Sequence, residues 1–179
     1  MNIPNLITLF RMFLAPLVVW LLIGAEYQLA LLVFCLAAAS DAADGWLARI
    51  TNSKTELGTH LDPLADKLLL ISTYLTLGVS KSIPAWLVIT VISRDVLILG
   101  GLLLAWFMGN PVEIRPIMIS KANTLAQISL LILALVQLAF GLIGAQFLNL
   151  AAYPVAALTV ASGMAYLKGW FSHMSTSNP

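Results

Sequence analysis

Charged side chains are scarce in this sequence. Asp, Glu, Lys and Arg make up only 9% of the 179 residues, whereas 60% are hydrophobic and the mean hydropathy is +0.96. Soluble domains carry about 25% charged residues, so this chain has too few to cover a surface exposed to water. The composition therefore predicts an integral membrane protein.

Cysteine and net charge are also low. The single cysteine, Cys35, cannot form an intramolecular disulfide, and its place in an apolar run favours a small buried side chain. The formal net charge is +1. Binding to nucleic acid would need a basic patch, so we expect no nucleic-acid partner.

Long hydrophobic runs dominate the chain. A spanning helix needs about 20 mainly apolar residues, and these runs are too long and too uniform for strands. The sequence predicts an all-α protein with six transmembrane helices in a single domain, residues 1–171, and a frayed polar tail, residues 172–179. The six runs are Leu6–Ile23, Leu29–Ile50, Leu61–Val79, Pro84–Phe107, Ile119–Gly141 and Phe147–Trp170.

Positive charges indicate the orientation. With the N-terminus inside, five cations fall on the inner side and only Lys81 on the outer side, which predicts cytoplasmic termini. Arg11 lies inside the first run, which favours a retained helix over a cleaved signal peptide. A start at Met1 without a transit peptide favours the bacterial inner membrane. The inner cations are Arg49, Lys54, Arg115, Lys121 and Lys168.

Four aspartates stand out in this apolar chain: Asp41, Asp44, Asp62 and Asp66. Carboxylates at membrane depth are costly and mark functional sites. The predicted orientation places all four near the cytoplasmic ends of the second and third helices. A polar loop, Thr51–Thr59, would let these helices return antiparallel, so the sequence predicts a polar cavity that opens to the cytoplasmic side.

Facing carboxylates repel one another unless cations neutralise them. Oxygen-only ligands suit Mg²⁺ or Mn²⁺, which also take substrate phosphate oxygens. His60 is alone, so zinc is not indicated. Gly45, Ala48 and Gly58 allow close approach of a ligand or ordinary helix packing. Arg49 suits either a phosphate clamp or a topology determinant.

The spacing of these residues resembles the signature of the CDP-alcohol phosphotransferases. All eight fixed positions are present, in a run that extends from residue 41 to residue 66. They are Asp41, Asp44, Gly45, Ala48, Arg49, Gly58, Asp62 and Asp66. The resemblance implies a six-helix membrane homodimer that transfers a phosphatidyl group from a CDP-linked donor to an alcohol and releases CMP.

The resemblance also implies a role for each position. The four aspartates would hold divalent metal, with two ions expected, and Asp66 would be the general base on the acceptor hydroxyl. The cytidine diphosphate would be seated by Asp44, Gly45, Ala48, Arg49, Gly58 and Asp62.

Four further segments resemble the branch that makes phosphatidylglycerol phosphate and cardiolipin. These are Ile3–Arg11, Leu61–Lys67, Ser93–Val96 and Ile119–Gln127. The last two are more similar to cardiolipin synthases. The chain has Asp95 and Asn123 where phosphatidylglycerol-phosphate synthases tend to carry glutamate and lysine. Phosphatidylglycerol is therefore the preferred acceptor, and glycerol 3-phosphate is the alternative.

Either acceptor bears a phosphate, so its site should contain cations. Arg94, Arg115 and Lys121 are the candidates. Arg94 could instead pair with Asp95, and Arg115 and Lys121 could be cytoplasmic anchors. Lys67 could serve as a counter-ion for Asp66.

Two other classes of function compete with the enzyme. An ion-coupled transporter also needs acids within its spans, but it would spread them across the membrane depth. A structural scaffold gives no reason for four buried acids. The position of all four near one face, beside glycine and arginine, favours the enzyme.

Overall fold

The computed structural model describes residues 3–51, 56–107 and 118–176, with side chains described for 10–40, 67–101 and 118–169. This part of the chain is helical apart from its turns, which confirms the all-α prediction. The helices are α1 (Ile3–Ile23), α2 (Tyr27–Thr51), α3 (Glu56–Val79), α4 (Ala85–Phe107), α5 (Met118–Phe140) and α6 (Ala145–Thr176).

Helix α3 begins earlier than the sequence predicted. It starts at Glu56, so the expected polar loop as far as Thr59 is wrong, and residues 52–55 lie outside the described chain. No proline lies between Glu56 and Thr59, an acidic residue suits a helix N-terminus, and the single Gly58 costs a helix only about 1 kcal/mol. As a result, Gly58, Asp62 and Asp66 are spaced by four along one continuous helix.

The C-terminal segment also differs from expectation. Helix α6 continues to Thr176, past the predicted start of the frayed tail at Ser172. Neither proline nor glycine occurs between Trp170 and Thr176, so nothing in this segment breaks the helix.

Two helices in the described chain are long and apolar enough to cross a membrane. They are Met118–Phe140 and Ala145–Gly169. Shorter apolar helical segments are Phe10–Ile23, Tyr27–Ser40 and Lys67–Val79. The prediction of six spans around a polar cavity stays a prediction.

The helices pack so that α1 contacts both α2 and α3, α5 contacts α2, α3 and α6, and α4 contacts α3 and α6. Val18, Phe34, Leu87 and Leu131 are fully buried in the apolar core. Large apolar side chains such as Trp20 also point outward, which suits a surface that faces lipid. Since α2 and α3 share α1 and α5 as neighbours, the two helices that carry the aspartates border the same part of the interior.

Helices α3 and α4 approach closely at Gly78. A Cβ atom built at Gly78 would lie 2.8 Å from Cγ2 of Val88, and the β-branched valine has little freedom to move aside. We expect Gly78→Ala to lower the free energy of unfolding by about 1–3 kcal/mol, measured by thermal unfolding of the purified protein in detergent.

Gly100→Ala is the matched control, because Gly100 lies in α4 and a Cβ atom added there would meet no neighbouring atom within 4 Å. Alanine at this position should be neutral or gain up to about 1 kcal/mol in helix propensity. Equal unfolding temperatures for the two variants would show that the Gly78 contact does not constrain the helix pair.

Candidate active site

The aspartate run lies on two helices. Asp41 and Asp44 belong to α2, and Asp62 and Asp66 belong to α3. The side chains of residues 41–66 lie outside the described part of the structure. This includes the predicted metal ligands Asp41, Asp44, Asp62 and Asp66, and the predicted nucleotide-binding residues Gly45, Ala48, Arg49 and Gly58. Their ligand roles therefore stay predictions.

A buried ionic cluster begins one residue after Asp66. The Nζ atom of Lys67 on α3 lies 2.5 Å from Oδ1 of Asp95 on α4. Nη1 of Arg94 lies 2.7 Å from the same oxygen. Asp95 is only 1% exposed and Arg94 is 7% exposed. One carboxylate oxygen thus binds two cations in the protein interior.

Arg94 also connects α4 to the last two helices. Its Nη2 atom donates to Oγ of Ser120 on α5 at 2.6 Å and to Oγ of Ser162 on α6 at 2.7 Å. The guanidinium carbon lies 5.6 Å from the ring centroid of Tyr166, within the range of a cation–π interaction. Arg94 therefore links three helices through charge-assisted hydrogen bonds.

A second, neutral polar network lies on α5 and α6. The hydroxyl of Thr159 can donate either to Oδ1 of Asn123 or to the backbone carbonyl of Val155, each at 2.8 Å. The same hydroxyl accepts from Nε2 of Gln127 at 3.3 Å. The hydroxyl of Tyr74 on α3 donates to the backbone carbonyl of Gln127 at 3.1 Å. Asn123, Gln127 and Thr159 are at most 1% exposed, so the network is closed to bulk solvent.

Several polar atoms in these networks have no hydrogen-bond partner among the described residues. They are Arg94 Nε, Asp95 Oδ2, Asn123 Nδ2 and Gln127 Oε1. A buried polar atom without a partner costs about 1–3 kcal/mol, and more if it is charged. Such groups call for an explanation beyond stability.

The candidate acceptor cations occupy different environments. Arg94 is buried and pairs with Asp95, the contact that the sequence offered as its alternative role. Lys121 is exposed near the start of α5. Arg115 lies outside the described residues. Arg11 is 1% exposed and engaged with a partner. The assignment of an acceptor phosphate to Arg94, Arg115 and Lys121 stays a prediction.

The sequence indicated Asp95 as a partner of Arg94, but it did not indicate Ser120 or Ser162. The pairing of Lys67 with Asp95 was not predicted either. The role of Lys67 as a counter-ion of Asp66 stays a prediction, because the Asp66 side chain lies outside the described residues. No site residue was predicted in α6, although Thr159 and Ser162 are both buried there. A signal was present: Thr159, Ser162 and Tyr166 recur at helical spacing in an otherwise apolar run, and so share one face.

Metal binding cannot be assigned to any other place in the described chain. No group of three or more His, Cys, Asp or Glu side chains that could hold an ion occurs among the residues whose side chains are described. The four aspartates of the run were not among them. The chemistry of that set, four carboxylates on two helices, still fits Mg²⁺ or Mn²⁺.

Comparison with known proteins identifies related sequences over almost the whole chain. The family model described as CDP-alcohol phosphatidyltransferase matches residues 1–166. A protein of Bacillus subtilis named CDP-diacylglycerol--glycerol-3-phosphate 3-phosphatidyltransferase is 34% identical, over 99% of this chain and 99% of its own length. The aspartates, Lys67, Arg94 and Asp95 all lie within the matched region.

Two other relatives are longer than this chain. The rat protein named Cardiolipin synthase (CMP-forming) is 33% identical over 92% of this chain and 60% of its own length. A chloroplastic rice protein with the same enzyme name as the Bacillus relative is 32% identical over 93% of this chain and 56% of its own length. The chain thus spans little more than half of these two relatives. The resemblance in the aspartate run is confirmed, and the chain belongs to the CDP-alcohol phosphatidyltransferase family, whose members are membrane proteins.

Proposed function

We propose that the protein transfers the phosphatidyl group of CDP-diacylglycerol to an alcohol acceptor and releases CMP. The observation that carries this proposal is the complete aspartate run, residues 41–66, inside the region matched by the family. The preferred acceptor is phosphatidylglycerol, which would make the product cardiolipin. The alternative acceptor is glycerol 3-phosphate, which would make phosphatidylglycerol phosphate.

In the proposed reaction, the acceptor hydroxyl attacks the phosphorus that carries the diacylglycerol. A new P–O bond forms to the acceptor, and the P–O bond to the CMP phosphate breaks. CMP leaves with the bridging oxygen, and the proton of the hydroxyl passes to the carboxylate of Asp66. A general base of this kind contributes about 10²–10⁴-fold to the rate.

The remaining residues of the run would hold the donor. Asp41, Asp44, Asp62 and Asp66 would bind two divalent ions, Mg²⁺ or Mn²⁺, which neutralise the pyrophosphate and stabilise the leaving group. Gly45, Ala48 and Gly58 would allow the nucleotide to approach the helix backbones, and Arg49 would contact a phosphate. The continuity of α3 from Glu56 supports this arrangement, because it places Gly58 on the helix that also carries Asp62 and Asp66.

The choice of acceptor rests on short segments. Ser93–Val96 and Ile119–Gln127 resemble cardiolipin synthases, and the rat relative carries that name. The Bacillus relative favours glycerol 3-phosphate, since it aligns over 99% of its length and is named for that acceptor. Both acceptors bear a phosphate, for which Arg94, Arg115 and Lys121 are the candidate cations.

The proposed setting is a bacterial inner membrane. The chain would cross it six times as a homodimer, with both termini in the cytoplasm. The acyl chains of donor and acceptor would then stay in the bilayer while their head groups reach the aspartates. Family membership supports the membrane location.

An acceptor screen tests the proposal. Purified protein in lipid micelles is given CDP-diacylglycerol with Mg²⁺ or Mn²⁺, and either phosphatidylglycerol or glycerol 3-phosphate. We expect CMP and cardiolipin from the first mixture, with the products resolved by mass. Phosphatidylglycerol phosphate as the sole product would reject the preferred acceptor, and no CMP from either mixture would reject the enzyme.

A transporter remains the alternative of another class. It predicts metal-coupled ion flux in liposomes without any CDP-lipid. CMP release without such flux would support phosphatidyl transfer and reject transport.

A further inference from the structure

Burying the carboxylate of Asp95 costs free energy of desolvation. Its carboxylate is 1% exposed, and Oδ2 has no hydrogen-bond partner among the described residues. Taking ions out of water is unfavourable, and replacing a buried ion pair with apolar side chains is often neutral or stabilising. Stability alone therefore does not account for this carboxylate.

The position of Asp95 between two parts of the site suggests what it does. Through Lys67 it holds α3 immediately after Asp66. Through Arg94 it is connected to Ser120 on α5 and Ser162 on α6. Oδ1 thus binds both the helix of the proposed base and the arginine proposed for the acceptor phosphate.

We propose that Asp95 is a positioning residue that sets the acceptor side of the site, on α4 to α6, at a fixed distance from the base on α3. This inference rests on the proposed function. Asp95 does not touch the reacting atoms. It acts by keeping Lys67 and Arg94 together, since two cations at one oxygen would separate if its charge were removed.

The test is Asp95→Asn, which keeps the shape of the side chain but removes its charge. We expect KM for phosphatidylglycerol to rise about tenfold and kcat to fall about tenfold, because misplacement by about 1 Å can cost up to 10²-fold in rate. KM for CDP-diacylglycerol should not change, since the donor residues are on α2 and the first half of α3. Asp95→Glu, which restores the charge on a longer side chain, should recover part of the loss.

A purely structural role gives a different result. Loss of folded protein would lower the maximal rate and leave both KM values at the wild-type level, and that outcome would overturn the proposal. Thr90→Val is the matched control on the same helix. Among the described residues, the Thr90 hydroxyl donates only to the backbone carbonyl of Trp86, one turn earlier in α4. Thr90→Val should have the wild-type kcat and the wild-type KM for both phosphatidylglycerol and CDP-diacylglycerol.

A double variant and a parallel wild-type measurement cover the cases in which Asp95→Asn does not fold or the protein has no activity. If Asp95→Asn does not accumulate, the double variant Lys67→Gln/Asp95→Asn removes a cation together with its anion, and it should show the same rise in KM for phosphatidylglycerol. The wild-type protein is run in parallel. An inactive wild type counts against the proposed function, whereas an active wild type with unaltered constants in the Asp95 variants overturns only the role of Asp95.

Discussion

Replacement of Asp66 by asparagine is expected to abolish CMP release. The variant keeps the size and most of the hydrogen bonding of the side chain, but an amide cannot take a proton from the acceptor hydroxyl. Loss of a general base lowers a rate by about 10²–10⁴-fold, so we expect at least a 100-fold decrease in kcat. The measurement is CMP formation from CDP-diacylglycerol and phosphatidylglycerol.

Donor binding distinguishes the loss of a general base from a general disruption of the site. Asp66→Asn should still be stabilised against thermal unfolding by CDP-diacylglycerol in the presence of Mg²⁺, because three aspartates remain. Glu26→Gln is the control, since Glu26 is an exposed acid in the turn between α1 and α2, and it should have wild-type activity. Normal turnover in Asp66→Asn would show that another group accepts the proton.

Replacement of Arg94 by methionine should have the largest effect on stability. The change removes the hydrogen bonds to Ser120 and Ser162, the ion pair with Asp95 and the contact with Tyr166. Removing one partner of a buried ion pair costs about 3–5 kcal/mol, because it leaves the other charge without compensation. Lys67 still contacts Asp95, so we expect the lower end of this range.

Thermal unfolding in detergent measures this loss. Lys168→Met is the control, because Lys168 is an exposed cation on α6 and such changes stay within about 0.5 kcal/mol. Arg94→Lys should lie between the two, since a single ammonium cannot span the positions of all three acceptors. If Arg94→Met unfolds at the same temperature as Lys168→Met, the bonds of Arg94 do not hold α4, α5 and α6 together.

The amino-acid sequence was sufficient to predict the helices. Long apolar runs separated by polar or glycine-containing turns can form little else in a membrane, and the start of α4 and the ends of α1 and α3 agree with prediction to within one residue. The errors lie where the polarity of a segment was taken as a sign of a loop. Residues 56–59 and 172–176 are mostly polar, yet they are helical because neither segment contains proline and the single Gly58 costs only about 1 kcal/mol.

The aspartate run could be recognised from spacing alone, but the ionic cluster could not. Arg94 and Asp95 are adjacent, so their pairing was an available interpretation. The pairing of Lys67 with Asp95 depends on how α3 packs against α4, which no local pattern contains. Ser120 and Ser162 look like ordinary small residues of apolar helices, and only the fold brings them to the same guanidinium nitrogen.

The transfer of a phosphatidyl group from CDP-diacylglycerol to a hydroxyl can be followed through its acyl chains. The most direct test supplies purified protein with CDP-diacylglycerol that carries deuterated acyl chains, together with unlabelled phosphatidylglycerol and Mg²⁺, and follows the label by mass. We predict cardiolipin with one labelled phosphatidyl group, formed in an amount equal to the CMP released. Labelled phosphatidic acid with CMP, which indicates hydrolysis, or no CMP at all would contradict phosphatidyl transfer.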